Sequence, residues 1–578
     1  KKPFFAATYI PKESRFGRVG MMEFIPRIKN VWEDRHQEVL DSAEKITTAL
    51  QSMETEPPGE DLDDTVFHKA YQELESRFDR NHGGFSQAPK FPTPHNFSFM
   101  LRYWKRFGEE KALGMVEETL QAMRQGGIYD HIGYGFHRYS TDKEWLVPHF
   151  EKMLYDQALL AMAYLEVFQI TGKKIYGETA REILSYVLRD MTSPEGGFYS
   201  AEDADSEGVE GKVHVWREDE VRGVLGKEAA DLIIALFNIE KNGNFKEEAS
   251  GHPTGTNIFH LRKPLPDMAR ELGVPLETLE KKVASARTTL FNARKGRVHP
   301  HKDDKILTDW NGLMIAALAR ASQILGDVVY ARTAEKAVQF ILSELRDKNG
   351  RLLHRYREGE AKIAAHLDDH AFLTWGLIEL YEATFEPRYL RNALEINEHL
   401  LKHFWDDKSG GFFFTPDDGE RLIVRKKEIY DGAVPSGNAV AMWNLLRLAR
   451  FTGRTDLDER AAKIDNAFYK QINAFPSGYT QFLVGFEFGI GPTHEVVITG
   501  TGGSRDTVEM IDAVRRLFIP NRVLIFRPTD VASPEIDQIS PFVKEHRSLE
   551  GKATAYVCVN NACKAPTRNI KEMLEQLK

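Results

Sequence analysis

The sequence predicts a mainly α protein built as a closed double ring of helices, an (α/α) six-hairpin toroid. Between residues 62 and 473, apolar residues recur at helical spacing in about twelve substantial segments. Between those segments glycine recurs before an aromatic or apolar residue, as in Gly196-Gly197-Phe198 and Gly410-Gly411-Phe412. A sequence motif that repeats every few tens of residues indicates a repeated supersecondary unit. Here the predicted unit is a helical hairpin with a glycine turn at one end.

Twelve predicted helices fit six hairpins and therefore a closed ring. The predicted helical segments are residues 62–80, 94–107, 111–125, 150–171, 174–191, 275–293, 310–325, 328–345, 368–384, 387–404, 435–452 and 455–473. The segment 199–274 interrupts this rhythm with an acidic loop, a strand and short helices, and we interpret it as an insertion over one rim of the toroid.

Two smaller regions flank the toroid. Residues 3–11 are strand-like and are followed by a loop and a helix, and the acidic, proline-containing stretch 54–64 is typical of a linker. After residue 490, strands alternate with helices, which indicates a small α/β region. The predicted domains are therefore 1–52, 62–485 with its insertion 199–274, and 490–578.

Composition and charge exclude several classes of partner. The chain has 578 residues and a formal net charge of −9, which argues against nucleic acid or an anionic membrane as partner. No apolar run reaches the roughly 18 residues that a membrane-spanning helix needs. Two cysteines do not make a disulfide scaffold, so a reducing cytoplasm is the expected location.

The stretch 126–157 is the centre of the predicted site, because it combines two opening glycines, aromatic residues and ionisable groups directly before a helix. The inner helices of a toroid should all begin at one rim, where free N–H groups favour carboxylates and polar ligands. The candidate catalytic residues at such starts are His149, Glu151, Asp309, Asp369 and His370. The candidate substrate-binding residues are His131, Trp145, Asp203, Asp205, Trp310, Asn311, Asp431 and Asn438.

Two reactions suit these residue types. Aromatic faces with carboxylates are typical of sugar pockets, and two carboxyl groups on opposite walls could hydrolyse a glycosidic bond as acid and base. A histidine facing a second base could instead move a proton next to a carbonyl, as in an epimerase or isomerase, with His149 and His370 as candidates. The sequence leaves both open.

No metal and no cofactor are predicted. Asp203 with Asp205, or His299 with His301, could bind a metal, but neither spacing matches a dedicated site. The glycines at 500, 502 and 503 form an incomplete dinucleotide fingerprint and are interpreted as an ordinary turn between strand and helix. Cys558 and Cys563 are interpreted as inert thiols or a lone structural pair rather than a redox pair.

Long motifs in this chain closely resemble the spermatogenesis-associated, thioredoxin-domain-containing proteins (YyaL-like). The motifs are HRYSTD at 137–142, WLVPHFEKMLYD at 145–156, APKFP at 88–92, SAEDADSEG at 200–208, DKILTDWNG at 304–312, DDHAF at 368–372 and DGAVPSGN at 431–438. The resemblance covers essentially the whole chain. It implies a partial thioredoxin-like α/β piece, an α/α toroid of the glycosidase and N-acylglucosamine-epimerase type, and a small C-terminal region.

The resemblance implies no settled reaction, and no redox residue can be carried over to this chain. The favoured function is a carbohydrate-active enzyme, hydrolase or epimerase, with a small sugar as ligand in the toroid mouth. The alternative is a thioredoxin-like redox or quality-control protein whose toroid binds a ligand or client without catalysis. A non-catalytic sugar- or peptide-binding toroid is the third hypothesis. The oligomeric state stays open.

Overall fold

A computed structural model of the chain describes residues 2–15, 17–52, 59–246, 253–559 and 562–577. Its α-helices are, in order, α1 (Met21–Asp34), α2 (His36–Ser52), α3 (Thr65–Arg77), α4 (Pro94–Phe107), α5 (Glu110–Gln125), α6 (Leu154–Thr171), α7 (Lys174–Tyr186), α8 (Glu218–Leu225), α9 (Lys227–Leu236), α10 (Leu265–Leu272), α11 (Leu276–Arg294), α12 (Thr308–Leu325), α13 (Val328–Glu344), α14 (Leu367–Thr384), α15 (Pro387–His403), α16 (Gly437–Thr452), α17 (Thr455–Ala474), α18 (Thr480–Ile490), α19 (Arg505–Arg515), α20 (Ile536–Ile539) and α21 (Ile570–Gln576).

The strands of the described residues are short except in the C-terminal region. They are β1 (Tyr139–Ser140), β2 (Pro148–His149), β3 (Lys152–Met153), β4 (Ala201–Glu202), β5 (Asp205–Ser206), β6 (Val209–Glu210), β7 (Lys302–Asp303), β8 (Ile306–Leu307), β9 (Leu353–Arg357), β10 (Glu360–Ala364), β11 (His494–Gly500), β12 (Arg522–Pro528), β13 (Thr554–Val559) and β14 (Ala562–Cys563). They form the sheets β1-β2, β3-β4-β7, β5-β6, β10-β9-β8 and β12-β11-β13-β14.

The helices confirm the predicted α/α toroid. Helices α4, α6, α12, α14, α16 and α18 form an inner ring in which each packs against the next and α18 closes back onto α4. Helices α5, α7, α13, α15 and α17 each pack outside the inner helix that precedes them, and α3 packs on the turn before α18. Inner helices are enclosed on every side, which is why every residue from Leu154 to Val167 of α6 is buried.

The inner helices all begin at one rim, as the sequence predicts. Thr480 of α18 donates a hydrogen bond to Asn96 of α4 (3.0 Å), and the N–H of Asp309 in α12 donates to Asp369 of α14 (3.0 Å). Helices α12 and α14 approach closely, since a Cβ on Gly312 would lie 2.5 Å from the backbone nitrogen of Leu373. We call the cavity side of this rim the mouth of the toroid.

The recurring glycine-aromatic turns are fixed to the inner helices by one repeated contact. The side-chain amide of Asn311 in α12 accepts from the N–H of Phe198 (2.8 Å) and donates to its carbonyl (3.0 Å). Asn438 of α16 holds Phe412 in the same way (2.7 and 2.9 Å), and Gln157 at the start of α6 holds Phe136 (2.8 and 2.7 Å). The repeat in the sequence therefore reflects a repeated amide clasp.

A belt of charged side chains crosses the inner ring toward its other end. It consists of Arg102 in α4, Glu166 in α6, Arg320 in α12, Glu379 in α14 and Arg447 in α16, each five positions before the last residue of its helix. Glu166 pairs with Arg102 (3.1 Å) and Arg320 (2.9 Å), and Glu379 pairs with Arg447 (2.8 Å). The belt alternates in sign, so neighbouring helices can pair their charges.

The structure changes two of the predicted ring assignments. Helix α11, predicted as a ring helix over 275–293, packs with α8, α9 and α10 in the insertion, which has its own core around Trp216 and Leu279. The sixth inner helix is α18, which the sequence did not predict as a helix. Most of its residues are apolar and they include Gly485 and Gly489, so it lacks the periodicity of an amphipathic helix.

The flanking regions complete the fold. The predicted strand at 3–11 pairs with no strand of the described residues, and the N-terminal region contributes α1 and α2. The predicted linker lies partly in 53–58, outside the described residues. In the C-terminal sheet, β11 runs parallel to β12 and antiparallel to β13, and Cys558 and Cys563 form a disulfide. Within the described ranges, no helix is long and apolar enough to cross a bilayer.

Candidate functional site

The mouth contains a cavity of about 470 Å³ between the starts of α4, α6 and α16. Its walls combine aromatic and polar side chains. The lining residues include Phe91, His95, Asn96, Arg138, Tyr155, Asp156, Tyr430, Asp431 and Phe475. Aromatic walls with a few polar groups suit a small polyol, because the rings contact C–H faces and the polar atoms bind hydroxyl groups.

Asp156 and Asp431 face this cavity from opposite sides of the ring. Asp156 is in the first turn of α6, and Asp431 precedes α16, which is the opposite member of the inner ring. Burial raises the pKa of Asp156 well above its ordinary value, and its Oδ2 has no hydrogen-bond partner among the described residues. Burial therefore favours the neutral form of Asp156.

Asp431 is a different kind of carboxyl group. Its Oδ1 accepts from the N–H of Ser436 (2.9 Å) and its Oδ2 from the N–H of Gln481 (2.8 Å). Burial raises its pKa to about 7, while these two backbone hydrogen bonds favour the ionised form. Near neutral pH, Asp431 can therefore hold or release a proton.

A second group of acids lies beside the cavity at the starts of α12 and α14. Trp310 packs edge-on against Tyr155 of the cavity wall, with ring centres 4.8 Å apart. Burial and the nearby Asp369 raise the pKa of Asp309 well above its ordinary value and that of Asp368 to about 7.

Asp369 is the ionised member of this group and positions its neighbours. Its Oδ1 accepts from the N–H of Asp309 and lies 2.9 Å from Nδ1 of His354, while its Oδ2 accepts from the N–H of His366 (2.7 Å). Burial favours the neutral acid, but the hydrogen bonds from His354 and His366 outweigh it and hold the pKa of Asp369 below its usual range. Burial alone would lower the pKa of His354, but the contact with Asp369 outweighs burial and raises the pKa to about 9.

His149 and Glu151 lie at the edge of the mouth. Nδ1 of His149 is 2.7 Å from Glu210, and Glu151 pairs with Arg138 of the cavity wall (2.8 Å). The hydrogen bond between His149 and Glu151 raises the pKa of the histidine and lowers that of the carboxyl group, which Arg138 also favours in its ionised form. Glu151 is therefore a half-buried carboxylate.

Three predicted site residues have structural contacts away from the mouth. His370 lies between α14 and α15, where its ring stacks on His399 at 5.2 Å. His131 bonds through Nε2 to the carbonyl of Gly126 (3.0 Å), and the indole N–H of Trp145 donates to the carbonyl of His82 (3.0 Å). His370 follows Asp369 directly, and successive helical residues point about 100° apart, so the two side chains leave α14 in different directions.

The remaining predicted residues divide between the mouth and the surface. Trp310 and Asp431 belong to the mouth, whereas Asn311 and Asn438 are the amide clasps described above. Asp203 and Asp205 are exposed on the loop of the insertion. The structure adds Asp156, Asp368 and His354. Asp156 and Asp368, like Asp309, lie in the first turn of an inner helix, and this position in the sequence could have identified them as site residues. His354 lies on the short strand β9, and nothing in the sequence marked it as a site residue.

In the described part of the chain, three groups of side chains bring together atoms that could bind a metal. They are His354, His366 and Asp369; His403, Asp417 and Asp418; and His546, Cys558 and Cys563, with the ligand atoms of each group within 4.8 Å of one another. In the third group the two cysteines are bonded to each other. The absence of a bound metal stays a prediction.

Comparisons with known proteins bear on the family and the fold. Residues 1–51 match the family model Thioredox_DsbH, described as a protein of unknown function (DUF255). Spermatogenesis-associated protein 20 of Homo sapiens is 36% identical over 611 residues, which covers 100% of this chain and 78% of that protein.

Two solved structures give more distant likenesses. A GH76 α-mannanase of Bacteroides thetaiotaomicron is 11% identical, with 70% of this chain and 82% of that chain covered and a TM-score of 0.42. Cellobiose 2-epimerase of Bacillus thermoamylovorans is 14% identical, with 71% and 100% covered and a TM-score of 0.28. Both are carbohydrate-processing enzymes, but likenesses at these scores carry no argument about activity.

Proposed function

The chain belongs to the spermatogenesis-associated protein 20 family, and on that premise we propose that it hydrolyses a glycosidic bond in the mouth of the toroid. One observation carries the proposal: Asp156 and Asp431 face one aromatic-walled cavity from opposite sides of the inner ring. Two carboxyl groups that flank the substrate are the requirement of most glycoside hydrolases.

The environments of the two groups assign their roles. Burial favours the protonated form of Asp156, and its Oδ2 has no hydrogen-bond partner among the described residues, so it can protonate the leaving glycosidic oxygen as the bond to the sugar breaks. Asp431 is stabilised as a carboxylate by two backbone N–H groups, so above its pKa of about 7 it can take a proton from water or attack the sugar carbon. Glu151 keeps Arg138 of the cavity wall paired.

The other mouth residues suit substrate binding. Tyr155, Tyr430 and Phe91 are aromatic residues of the wall, and Asp309 and Asp368 are acids with raised pKa values at the adjoining helix starts. Asp369 acts as a positioning residue, because it is not among the residues that line the cavity and its contacts hold the starts of α12 and α14 and His354 in place.

The test is a screen of the whole chain against nitrophenyl glycosides and short oligosaccharides, read as aglycone or reducing sugar released. Asp156→Asn and Asp431→Asn should each lower kcat by about 100-fold or more, since each removes an acid or base from the transition state. Asp203→Asn, an exposed acid on the insertion, is the matched control and should leave kcat unchanged. Parent-like turnover in both mouth variants would refute the assignment.

The pH profile gives a second readout. Asp431 must be ionised to act as base, so kcat/KM should rise with pH through about 7 and fall only where Asp156 loses its proton. The anomeric form of the first product then shows whether Asp431 activates water, with inversion, or attacks directly, with retention. An isomerised sugar instead of a cleaved one would favour the epimerase hypothesis, with His354 as the proton carrier beside Asp369.

The redox alternative has a specific observation behind it, the match of residues 1–51 to a thioredoxin-related family model. Those residues contain no cysteine, since both cysteines of this sequence lie in the C-terminal sheet. Reduction of insulin disulfides by this chain, abolished by Cys558→Ser, would favour that alternative. Turnover of a sugar without any insulin reduction would exclude it for this chain.

A further inference from the structure

A second cavity, which we call the base cavity, lies at the other end of the toroid. It has a volume of about 60 Å³ and is enclosed between the charged belt and the segment 515–522 of the C-terminal region. Its walls carry the belt residues Arg102, Arg320, Glu379 and Arg447, with Glu382, Arg515 and Arg522. The mouth reaction proposed above uses none of these residues.

The positive charges of the base cavity outnumber its negative charges. Glu166, Glu379 and Glu382 are matched by the three arginines of the belt, and Arg522 shares Glu382 (3.0 Å). Arg515 donates to the carbonyls of Glu382 and Ala383, which carry no net charge. Among the residues that line the cavity, five arginines face two glutamates; Glu166, Glu487 and Asp512 lie behind the arginines, and Glu487 also pairs with Arg106 (3.7 Å).

Two of these guanidinium groups have hydrogen-bonding capacity left over. The Nε–H groups of Arg515 and Arg522 are buried and have no hydrogen-bond partner among the described residues. Burial lowers the pKa of Arg515 to about 10. The neighbouring Arg522 also lowers this pKa, whereas Asp512 raises it. A buried cation without its own anion and a buried N–H group without an acceptor both destabilise the folded chain, unless a bound anion pairs with them.

We propose that the base cavity binds one small tetrahedral oxyanion, phosphate or sulfate, between Arg515, Arg522 and the arginines of the belt. Guanidinium groups suit such an anion, because their fixed N–H groups bind its oxygens in pairs. A water needs about 10 to 15 Å³ of such volume, so the cavity has room for one small anion. The anion fastens the C-terminal region to the base of the toroid.

Thermal unfolding of the whole chain tests this site. Phosphate and sulfate are titrated separately in a buffer free of both, with ionic strength held constant by sodium chloride. We expect a saturable rise of the midpoint by about 2 to 3 °C, since the anion binds the folded state alone. The stronger of the two titrations identifies the preferred anion. A midpoint that follows ionic strength alone overturns the proposal.

Arg515→Gln separates an anion site from a purely structural role. The substitution removes the unmatched charge, so the midpoint without oxyanion should stay the same or rise, and the response to phosphate or sulfate should disappear. Arg505→Gln, an exposed arginine at the start of α19, is the matched control and should keep the response. Calorimetry at 25 °C should show one site per chain, about tenfold weaker in Arg522→Gln.

The same two experiments can also show that the extra arginines have a purely structural role. If Arg515→Gln lowers the midpoint without oxyanion, and neither anion shifts the parent chain, then the extra arginines only neutralise the carbonyl ends of the inner helices. That outcome overturns the anion site.

Discussion

At the two ends of the toroid, the pKa values of buried acidic side chains are shifted in opposite directions. At the base, Glu166 and Glu379 pair with arginines of neighbouring helices, and these arginines lower the pKa of both carboxyl groups although burial alone would raise it. At the mouth, Asp156 and Asp431 are equally buried but have no cationic hydrogen-bond partner among the described residues, and burial raises their pKa values. Helix α6 supplies one acid of each set, Glu166 and Asp156.

The difference teaches that pairing, more than burial, decides whether a carboxyl group of this ring is structural or reactive. A paired carboxylate is fixed in charge and holds two helices together, so it cannot exchange a proton near pH 7. An unpaired buried acid gives up stabilising charge contacts but titrates where chemistry needs it. Three variants break or sharpen this comparison.

The largest effect should come from breaking the belt. Glu166→Gln leaves Arg102 and Arg320 buried beside a neutral amide, so the free energy of unfolding should fall by about 3 to 5 kcal/mol. Urea unfolding of parent and variant measures the loss. Glu509→Gln, whose partner Arg505 is exposed, is the control and should change the free energy by less than about 1 kcal/mol. A loss as small as the control's would contradict a structural belt.

A smaller effect should appear in the pH dependence of Asp431. Its pKa in the folded chain, about 7, is above the ordinary value, so the native state holds an extra proton between about pH 4 and pH 7. Its contribution to stability therefore falls as pH rises through that window and is constant above it. Asp431→Asn should lower the thermal midpoint, since an amide cannot accept both backbone hydrogen bonds, and should remove this fall. Parallel midpoint curves from pH 4.5 to pH 8 would count against the raised pKa.

The smallest change in stability should follow Asp156→Asn. Burial favours the neutral acid and one of its oxygens has no hydrogen-bond partner among the described residues, so an isosteric amide should alter the free energy of unfolding by less than about 1 kcal/mol at pH 7. Urea unfolding beside Glu166→Gln gives the contrast directly. A loss comparable to that of the belt variant would mean that Asp156 is a structural acid.

Particular elements show how far sequence reasoning reaches. The glycine-aromatic turns and helical periodicity predicted the hairpin ring, because both are local patterns that the amide clasps of Asn311 and Asn438 repeat in space. The same reasoning assigned α11 to the ring and missed α18, because periodicity reports an apolar face and not the partner that covers it. Placing Asp309, Asp369 and Asp431 at helix starts followed from the ring itself.

The sequence by itself determined the hairpin repeat and the rim where inner helices begin, because these depend on spacing along the chain. Only the tertiary structure decided that His370 packs outward while His354 meets Asp369, and that Asp156 and Asp431 share a cavity. Those outcomes depend on how each helix is rotated about its axis and on which charge lies opposite. Distances between residues far apart in sequence, and the pKa values that follow from them, arise only when the ring closes.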